Sequence, residues 1–349
     1  MKRSQLALAI ILLLATIFLA TQFGRLADFA RILSAAQPLW LGAALVSLAA
    51  WQVIQAAQFR AAYRAVGVEQ SLLSILPLVA ANNFVLLADP TGSVSTFALF
   101  LAHARRHRLS PERSAVAVAV CTVFQYLALA IAIGLALAVL AAHRRLYSIE
   151  WLLAIPVFAF VAGQYTVLLL ALHAPARLER GVAWLARGLN RVGRRLARRD
   201  LVSLQRMVQI GANATAGLDH MRQQGPRAQL GLLVYGLASQ ALLGVVLGML
   251  LLAFHQPASL AIVVTSLGVG GIFAVVSPTP AGVGGVEAAM ALVLVAFGLE
   301  PAAALIVSLA FRGLTLWLPV LYGFAALQAL GFSALRPVPA ALASPAPPS

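Results

Sequence analysis

The sequence predicts an all-α polytopic membrane protein with about six full transmembrane helices and two opposed re-entrant helical hairpins that form an inverted repeat. Three observations lead to this fold. Of the 349 residues, 62% are hydrophobic and only 10% are charged, whereas a soluble domain carries about a quarter charged residues. Apolar runs of about 20 residues, long enough to cross a bilayer as a helix, recur along the chain. Most of the charge lies in the connections between these runs.

The apolar runs mark the expected membrane segments in order. They cover residues 5–23, 39–59, 72–88, 91–104, 114–141, 151–172, 229–253, 259–277, 284–298 and 302–331. The first run follows Lys2 and Arg3, but it is long for a signal peptide and no clean cleavage site follows it. We therefore expect an uncleaved helix, within one integral membrane domain that covers residues 1–331.

Two pairs of these segments are expected to be hairpins rather than full spans. Segments 91–104 and 284–298 have about 14–15 residues, fewer than the roughly 20 that a span needs. Only Asp89-Pro90 precedes the first of them, and a Pro/Gly-rich stretch precedes the second. Backbone breakers at membrane depth are tolerated only where protein or a water-filled cavity surrounds them. Each pair is therefore predicted to enter and leave the membrane on one side.

The charge distribution predicts the orientation. The net charge is +15, and residues 173–228 hold eleven arginines but only three acids. The positive-inside rule places this stretch in the cytoplasm. Hairpin 72–104 then enters from the cytoplasmic side and hairpin 259–298 from outside, with both termini in the cytoplasm of a bacterial inner-membrane protein. Arg144 and Arg145, which this orientation places outside, are the one violation of the rule. Because the charge follows membrane topology, no nucleic-acid partner is expected.

The two halves of the chain show an internal repeat. Asp89-Pro90-Thr91-Gly92 aligns with Ser277-Pro278-Thr279-Pro280, so that residues 39–141 repeat as residues 229–331 in the opposite orientation. Inverted repeats whose broken helices meet near the midplane are typical of transporters.

Two further regions lie outside the repeat. Residues 174–228 are predicted to form a basic amphipathic connector, which either lies on the anionic inner leaflet or packs against the base of the bundle. The Pro/Ala-rich tail, residues 332–349, is expected to be disordered.

The second hairpin carries the main candidate site. The only formal charges within the apolar segments are Asp89, Glu287 and Arg312, and a charge at such depth is a functional-site candidate. Glu287 follows a breaker stretch whose prolines and glycines are Pro278, Pro280, Gly282, Gly284 and Gly285. Backbone N–H groups at the start of the following helix would form an anion site, or else the same helix dipole stabilises Glu287 itself.

Arg312 is the expected partner of this stretch. It lies about ten residues into the last span, which is a depth of about 15 Å, near the midplane of a hydrocarbon core about 30 Å thick. A guanidinium at that depth needs a partner. Either Glu287 pairs with it structurally, or a substrate phosphate takes its place.

The first hairpin supplies a degenerate counterpart of this site. Its candidate residues are Asp89, Pro90 and Gly92 at the tip, preceded by Asn82 and Asn83. These residues are predicted to contact the substrate from the other half of the repeat.

The sequence offers little for catalysis. The single Cys121 cannot form an internal disulfide, and no Cys/His spacing indicates a metal site. No hydrolase elbow, P-loop or HExxH motif occurs. We therefore expect no enzyme activity of its own, no cofactor and no metal.

The C-terminal motifs resemble a known family. The run from Pro278 to Glu287, followed by Arg312, Trp317-Leu318-Pro319 and Gly323, resembles the signature of the lysylphosphatidylglycerol synthase transmembrane (flippase-like) family. The resemblance covers nearly the whole chain. It implies similarity to the membrane half of bacterial multiple-peptide-resistance proteins, which move aminoacylated phosphatidylglycerol across the membrane.

The chain departs from the family pattern in two places. After Pro90-Thr91-Gly92 come Ser93-Val94-Ser95, without the acid and arginine usual in that half, and an arginine expected near Thr122 is also replaced. The resemblance then implies a different or less charged headgroup at this half. No soluble aminoacyl-transferase domain follows Gly331, so the chain is not expected to synthesise lysyl lipid itself.

Three functions are compatible with these features. The first is an inner-membrane transporter or flippase-like protein that moves or binds a lipid (a phospholipid, glycolipid or isoprenoid lipid), expected to have an anionic headgroup, at a midplane site between the hairpins. The alternative is a non-transporting scaffold subunit that docks a lipid- or polyisoprenoid-modifying enzyme through the connector, and an intramembrane enzyme comes third. The oligomeric state stays open.

Overall fold

The computed structural model describes residues 36–88, 94–143, 148–174, 176–177, 180, 218–277 and 279–331. All regular structure in these ranges is helical, as predicted. The helices are α1 (Pro38–Ala65), α2 (Leu72–Ala88), α3 (Val94–Arg106), α4 (Pro111–Ala142), α5 (Ser148–His173), α6 (Pro226–Ala253), α7 (Leu260–Val276), α8 (Gly285–Ala296), α9 (Pro301–Arg312) and α10 (Leu318–Ala329). A 3-10 turn (Pro280–Gly282) precedes α8, and a π-turn (Gly313–Trp317) joins α9 to α10.

Five helical segments in the described ranges are long and apolar enough to cross a membrane. They are Pro38–Ala65, Pro111–Ala142, Leu152–His173, Pro226–Ala253 and Pro301–Ala329. Together with the shorter apolar helices, these segments confirm the predicted polytopic membrane fold. The predicted helix 5–23, most of the connector and the tail fall outside the described residues.

The helix ends gather at two opposite faces of the bundle. At one face the end of α1 meets the residues before α6, where Gln224 Nε2 donates to the Arg64 carbonyl at 3.3 Å. At the other face the start of α1 meets the end of α6, where Gln37 N donates to the Ala253 carbonyl at 2.9 Å. Arginines at or next to helix ends on the first face, which we call the basic face, are Arg60, Arg64, Arg105, Arg106, Arg108, Arg113, Arg222 and Arg227.

Each pair of short helices begins and ends at one face. Helix α2 starts at the basic face, and α3 returns there, where Arg106 Nη1 donates to the Leu330 carbonyl at 2.6 Å. Helix α7 starts at the opposite face. Helix α8 returns to that face, where the Phe297 ring lies 6.0 Å from the ring of His143. The 3-10 turn between α7 and α8 contacts α2, so the tip of one pair reaches the first helix of the other.

Three helix pairs make the most extensive contacts: α1 with α6, α2 with α10, and α7 with α4. Glycines allow two of these pairs to approach closely, as small residues do in membrane bundles. A Cβ on Gly323 of α10 would lie 2.4 Å from the Ala80 carbonyl of α2. A Cβ on Gly268 of α7 would lie 2.2 Å from the Ala136 Cβ of α4. The buried core therefore holds the short helices firmly against the full spans.

Candidate functional site

Several backbone groups of the breaker stretch between α7 and α8 are paired by hydrogen bonds at the stretch itself. Ser277 N donates to the Phe273 carbonyl at 3.0 Å, and Gly282 N donates to the Thr279 carbonyl at 3.0 Å. The Thr279 hydroxyl donates to the Val283 carbonyl at 2.9 Å. Irregular backbone is tolerated inside an apolar bundle only when its polar groups are paired in this way. Thr279 is thus a structural residue of the turn that sequence reasoning did not single out.

Three residues of the turn have left-handed backbone conformations. The φ angles are 52° at Ala281, 70° at Gly282 and 88° at Gly284. Only Gly282 is also crowded, because a Cβ there would lie 2.7 Å from Val286 Cγ2 and 2.9 Å from Ala274 Cα. Around Gly284 a Cβ would meet nothing within 4 Å. The two glycines therefore serve different purposes, although the sequence pattern treats them alike.

This difference gives a matched pair of variants. We expect Gly282→Ala to lower the free energy of unfolding by about 2–4 kcal/mol, since overpacking adds to the strain of a left-handed alanine. Gly284→Ala should cost only about 1–2 kcal/mol, from the backbone strain alone. Thermal unfolding of both proteins in the same detergent measures the difference. Equal midpoints for the two variants would contradict the crowding at Gly282.

Glu287 and Arg312 form a buried ion pair directly behind the turn. Arg312 Nε donates to Glu287 Oε1 at 3.1 Å, and the two side chains are only 11% and 10% exposed. Arg312 Nη2 also donates to the Ala281 carbonyl at 2.7 Å. Glu287 Oε2 accepts from Gly284 N at 2.6 Å. Each charge is therefore paired and hydrogen-bonded, as a charge at this depth must be.

The local sequence explains both positions. Glu287 is the third residue of α8, which begins at Gly285, and its carboxylate accepts from the backbone N–H of the N-cap residue Gly284, the half of a capping box that needs no N-cap side chain. The positive end of the helix dipole adds to its stabilisation. Arg312 ends α9, and the π-turn begins at the next residue, Gly313. Single π-turns inside helices are rare and occur frequently at functional sites.

This arrangement can bind an anion by exchange. The guanidinium already holds one carboxylate oxygen and one carbonyl oxygen, and phosphate oxygens suit the same donors. The carboxylate that an anion displaced would keep its bond to Gly284 N at the helix start. The structure thus shows the first alternative left open by the sequence, the Glu287–Arg312 pair, and anion binding at the same guanidinium stays a prediction.

The other predicted site residues lie elsewhere or outside the description. Asp89, Pro90, Gly92 and Pro278 are outside the described residues, and Pro280 begins the 3-10 turn. Asn82 and Asn83 lie on α2, where Asn83 Nδ2 donates to Gln52 Oε1 at 3.0 Å. Among the described contacts, those of Asn83 lead to α1 and to Tyr322 of α10, and not to the ion pair.

Asn83 belongs to a second polar group, and sequence reasoning missed its other two members, Gln52 of α1 and Tyr322 of α10. The Tyr322 hydroxyl of α10 donates to the same Gln52 Oε1 at 2.9 Å. The only sequence signal was a glutamine in the middle of an apolar segment. It carried no charge that would demand a partner.

In the part of the chain that the structure describes, no group of three His, Cys, Asp or Glu residues could hold a metal ion. Cys121 is free and buried in α4.

The comparisons with known proteins point in one direction. No curated protein matches the chain. The family model of the lysylphosphatidylglycerol synthase TM region matches residues 4–323. The match spans both pairs of short helices, the breaker turn and Arg312, which is nearly the whole chain. The protein therefore belongs to the lysylphosphatidylglycerol synthase transmembrane-region family.

Proposed function

We propose that this protein binds membrane lipids with an anionic headgroup at Arg312 and moves them between the leaflets of the bacterial inner membrane. Membership of the family supports a membrane protein of lipid-related function. The observation that carries the proposal is the buried Arg312–Glu287 pair behind an irregular turn. Burying a cation at this depth costs free energy, so such a residue is a candidate for a functional role. A lipid that crosses the membrane between the hairpins would carry its phosphate, an anion, from the headgroup region to this depth.

The helix geometry supports the access that such a site needs. Each pair of short helices returns to the face from which it starts, which favours two re-entrant hairpins that enter from opposite sides. The packing of α2 on α10 and of α7 on α4 supports an inverted repeat, since each first hairpin helix packs on the last span of the other half. A site at the hairpin tips can then open to either side, as in transporters built from inverted repeats.

The basic face is proposed to be cytoplasmic. It carries the arginines named above, whereas the described residues of the opposite face carry Glu300 and two histidines, His143 and His255. The positive-inside rule assigns such a face to the cytoplasm. Arg312 would then be reached from outside, at the turn between α7 and α8.

In this mechanism the lipid phosphate replaces Glu287 on Arg312. The headgroup loses water and gains charge-assisted bonds from the guanidinium, while the displaced carboxylate stays at the start of α8. Return of Glu287 to Arg312 releases the phosphate on the other side. The ion pair thus keeps the binding energy small enough for release.

Lipid translocation in proteoliposomes tests the proposal. The purified protein should let dithionite reach fluorescent phosphatidylglycerol that starts in the inner leaflet, faster than in protein-free vesicles. Fluorescent phosphatidylcholine, whose headgroup carries no net charge, serves as the matched lipid and should move more slowly. Rates equal to those of empty vesicles for both lipids would refute a transport function.

The proposed orientation has a separate test. In a Cys121→Ser background, Arg105→Cys at the basic face and Pro257→Cys at the opposite face are both exposed positions. In intact cells a membrane-impermeant maleimide should label only Pro257→Cys, and Arg105→Cys should react only after lysis. Labelling of both from outside would contradict opposed hairpins.

A further inference from the structure

A second polar cluster lies between α1, α2 and α10, apart from the ion pair. Its centre is Gln52 Oε1, which accepts from Asn83 Nδ2 at 3.0 Å and from the Tyr322 hydroxyl at 2.9 Å. Gln52 is 9% exposed, although it stands in the middle of an apolar span. None of the three side chains carries a charge.

This cluster has unused hydrogen-bonding capacity. Within the described residues, Gln52 Nε2 is buried and has no partner, although it belongs to the same amide as the doubly bonded oxygen. Asn82, the residue before Asn83, is 6% exposed, and its Oδ1 is likewise buried without a partner. A buried polar group without a partner is destabilising, because it has lost its hydrogen bonds to water. Most buried polar groups are paired, so each exception needs an explanation.

The cluster and Arg312 lie at different depths of the bundle. Asn83 comes eleven residues after Leu72, the start of α2 at the basic face, a depth of about 16 Å. Tyr322 comes ten residues after Arg312, which places it about 15 Å further along the same span. Arg312 lies toward the outer half and Tyr322 toward the basic face. The span formed by α9 and α10 therefore carries a charged site at Arg312 and, nearer the basic face, a neutral polar site at Tyr322.

The chemistry of the cluster selects its ligand. A phosphate would need a cation, and an ammonium group would need a carboxylate; the cluster has neither. A hydroxyl group both accepts and donates hydrogen bonds. It can therefore accept a hydrogen bond from Gln52 Nε2 and donate one to an amide oxygen. We propose that Gln52, Asn83 and Tyr322 bind a hydroxyl of the lipid headgroup, so that the substrate is an anionic lipid whose headgroup also carries hydroxyl groups. This inference rests on the proposed lipid binding at Arg312.

Two lipids of equal charge test the inference without requiring transport. Phosphatidylglycerol has two headgroup hydroxyls, and phosphatidylpropanol has none. The full chain in detergent is incubated with equal amounts of both, and native mass spectrometry measures the ratio of the bound lipids. We expect phosphatidylglycerol to be preferred about fivefold to tenfold, the worth of one or two neutral hydrogen bonds.

The variants separate recognition from a structural role. Tyr322→Phe removes only a hydroxyl, and Gln52→Leu removes the amide; in both, the preference should fall to about one while phosphatidylpropanol stays bound. Gln164→Leu on α5 is the matched control. Within the described residues, Gln164 Oε1 is also buried without a hydrogen-bond partner, but it lies outside the cluster. It should keep the wild-type ratio.

Each outcome decides one claim. Equal binding of the two lipids by the wild-type protein, or an unchanged ratio in Tyr322→Phe and Gln52→Leu, would overturn the hydroxyl site and leave the anion site standing. Loss of both lipids to the same extent in these variants would make the cluster purely structural. If the wild-type protein bound neither lipid, the anion site at Arg312 would fall together with this inference.

Discussion

Replacing Arg312 with glutamine is expected to abolish translocation of anionic lipid and to lower the free energy of unfolding by about 3–5 kcal/mol, the usual cost of breaking a buried ion pair. The variant leaves the Glu287 carboxylate only 10% exposed and opposite a neutral side chain. It also weakens the bond to the Ala281 carbonyl, so the breaker turn loses its tie to α9. The translocation rate in proteoliposomes and thermal unfolding in detergent measure the two effects.

The double variant Glu287→Gln/Arg312→Gln separates the two roles of the pair. Removing both charges takes away the unpaired carboxylate, so most of the lost stability should return. Translocation should stay absent, because no cation remains for the phosphate. Arg105→Gln at the exposed basic face is the control and should match the wild type in both assays. Full translocation by the folded double variant would show that the ion pair is only structural.

The helices could be predicted from the sequence because hydropathy and breakers are local signals. Segment 259–277 was predicted and Leu260–Val276 is found, since a serine cap and the breaker stretch mark its ends. The first described span was predicted to end at residue 59 but continues to Ala65. Hydropathy falls at Arg60, yet alanine and arginine are good helix formers, so the helix does not stop where the apolar run does.

The site could be predicted only in part. A buried charge requires a partner of opposite charge, whereas a buried neutral polar group gives no such indication of its partner. A buried arginine demands an anionic partner, so the sequence led to Glu287 as one of two candidates. The sequence marks Asn83 as a candidate but gives no reason to select its partner Gln52, and Tyr322 lies 270 residues from Gln52 in the chain. No local pattern joins three neutral residues across such distances. The π-turn after Arg312 also depends on packing, not on a local motif.

Replacing Glu287 with glutamine should separate binding from release. Arg312 would keep the Ala281 carbonyl but lose its counter-charge, so the lipid-free protein should be less stable by about 3–5 kcal/mol. An anionic lipid can then supply the missing charge without displacing a carboxylate. We expect phosphatidylglycerol to raise the unfolding temperature of Glu287→Gln more than that of the wild type, while phosphatidylcholine raises both alike.

Transport by the same variant should nevertheless fall. The returning carboxylate is what competes the phosphate away from Arg312, and glutamine supplies no charge for that step. Tighter binding that is uniform along the path does not speed a transport cycle, because release becomes slower. Glu287→Gln should therefore show stronger lipid stabilisation together with slower translocation. A variant that lost both lipid stabilisation and translocation would mean that Glu287 only holds the turn. One that gained lipid stabilisation and kept the wild-type rate would remove the carboxylate from the release step.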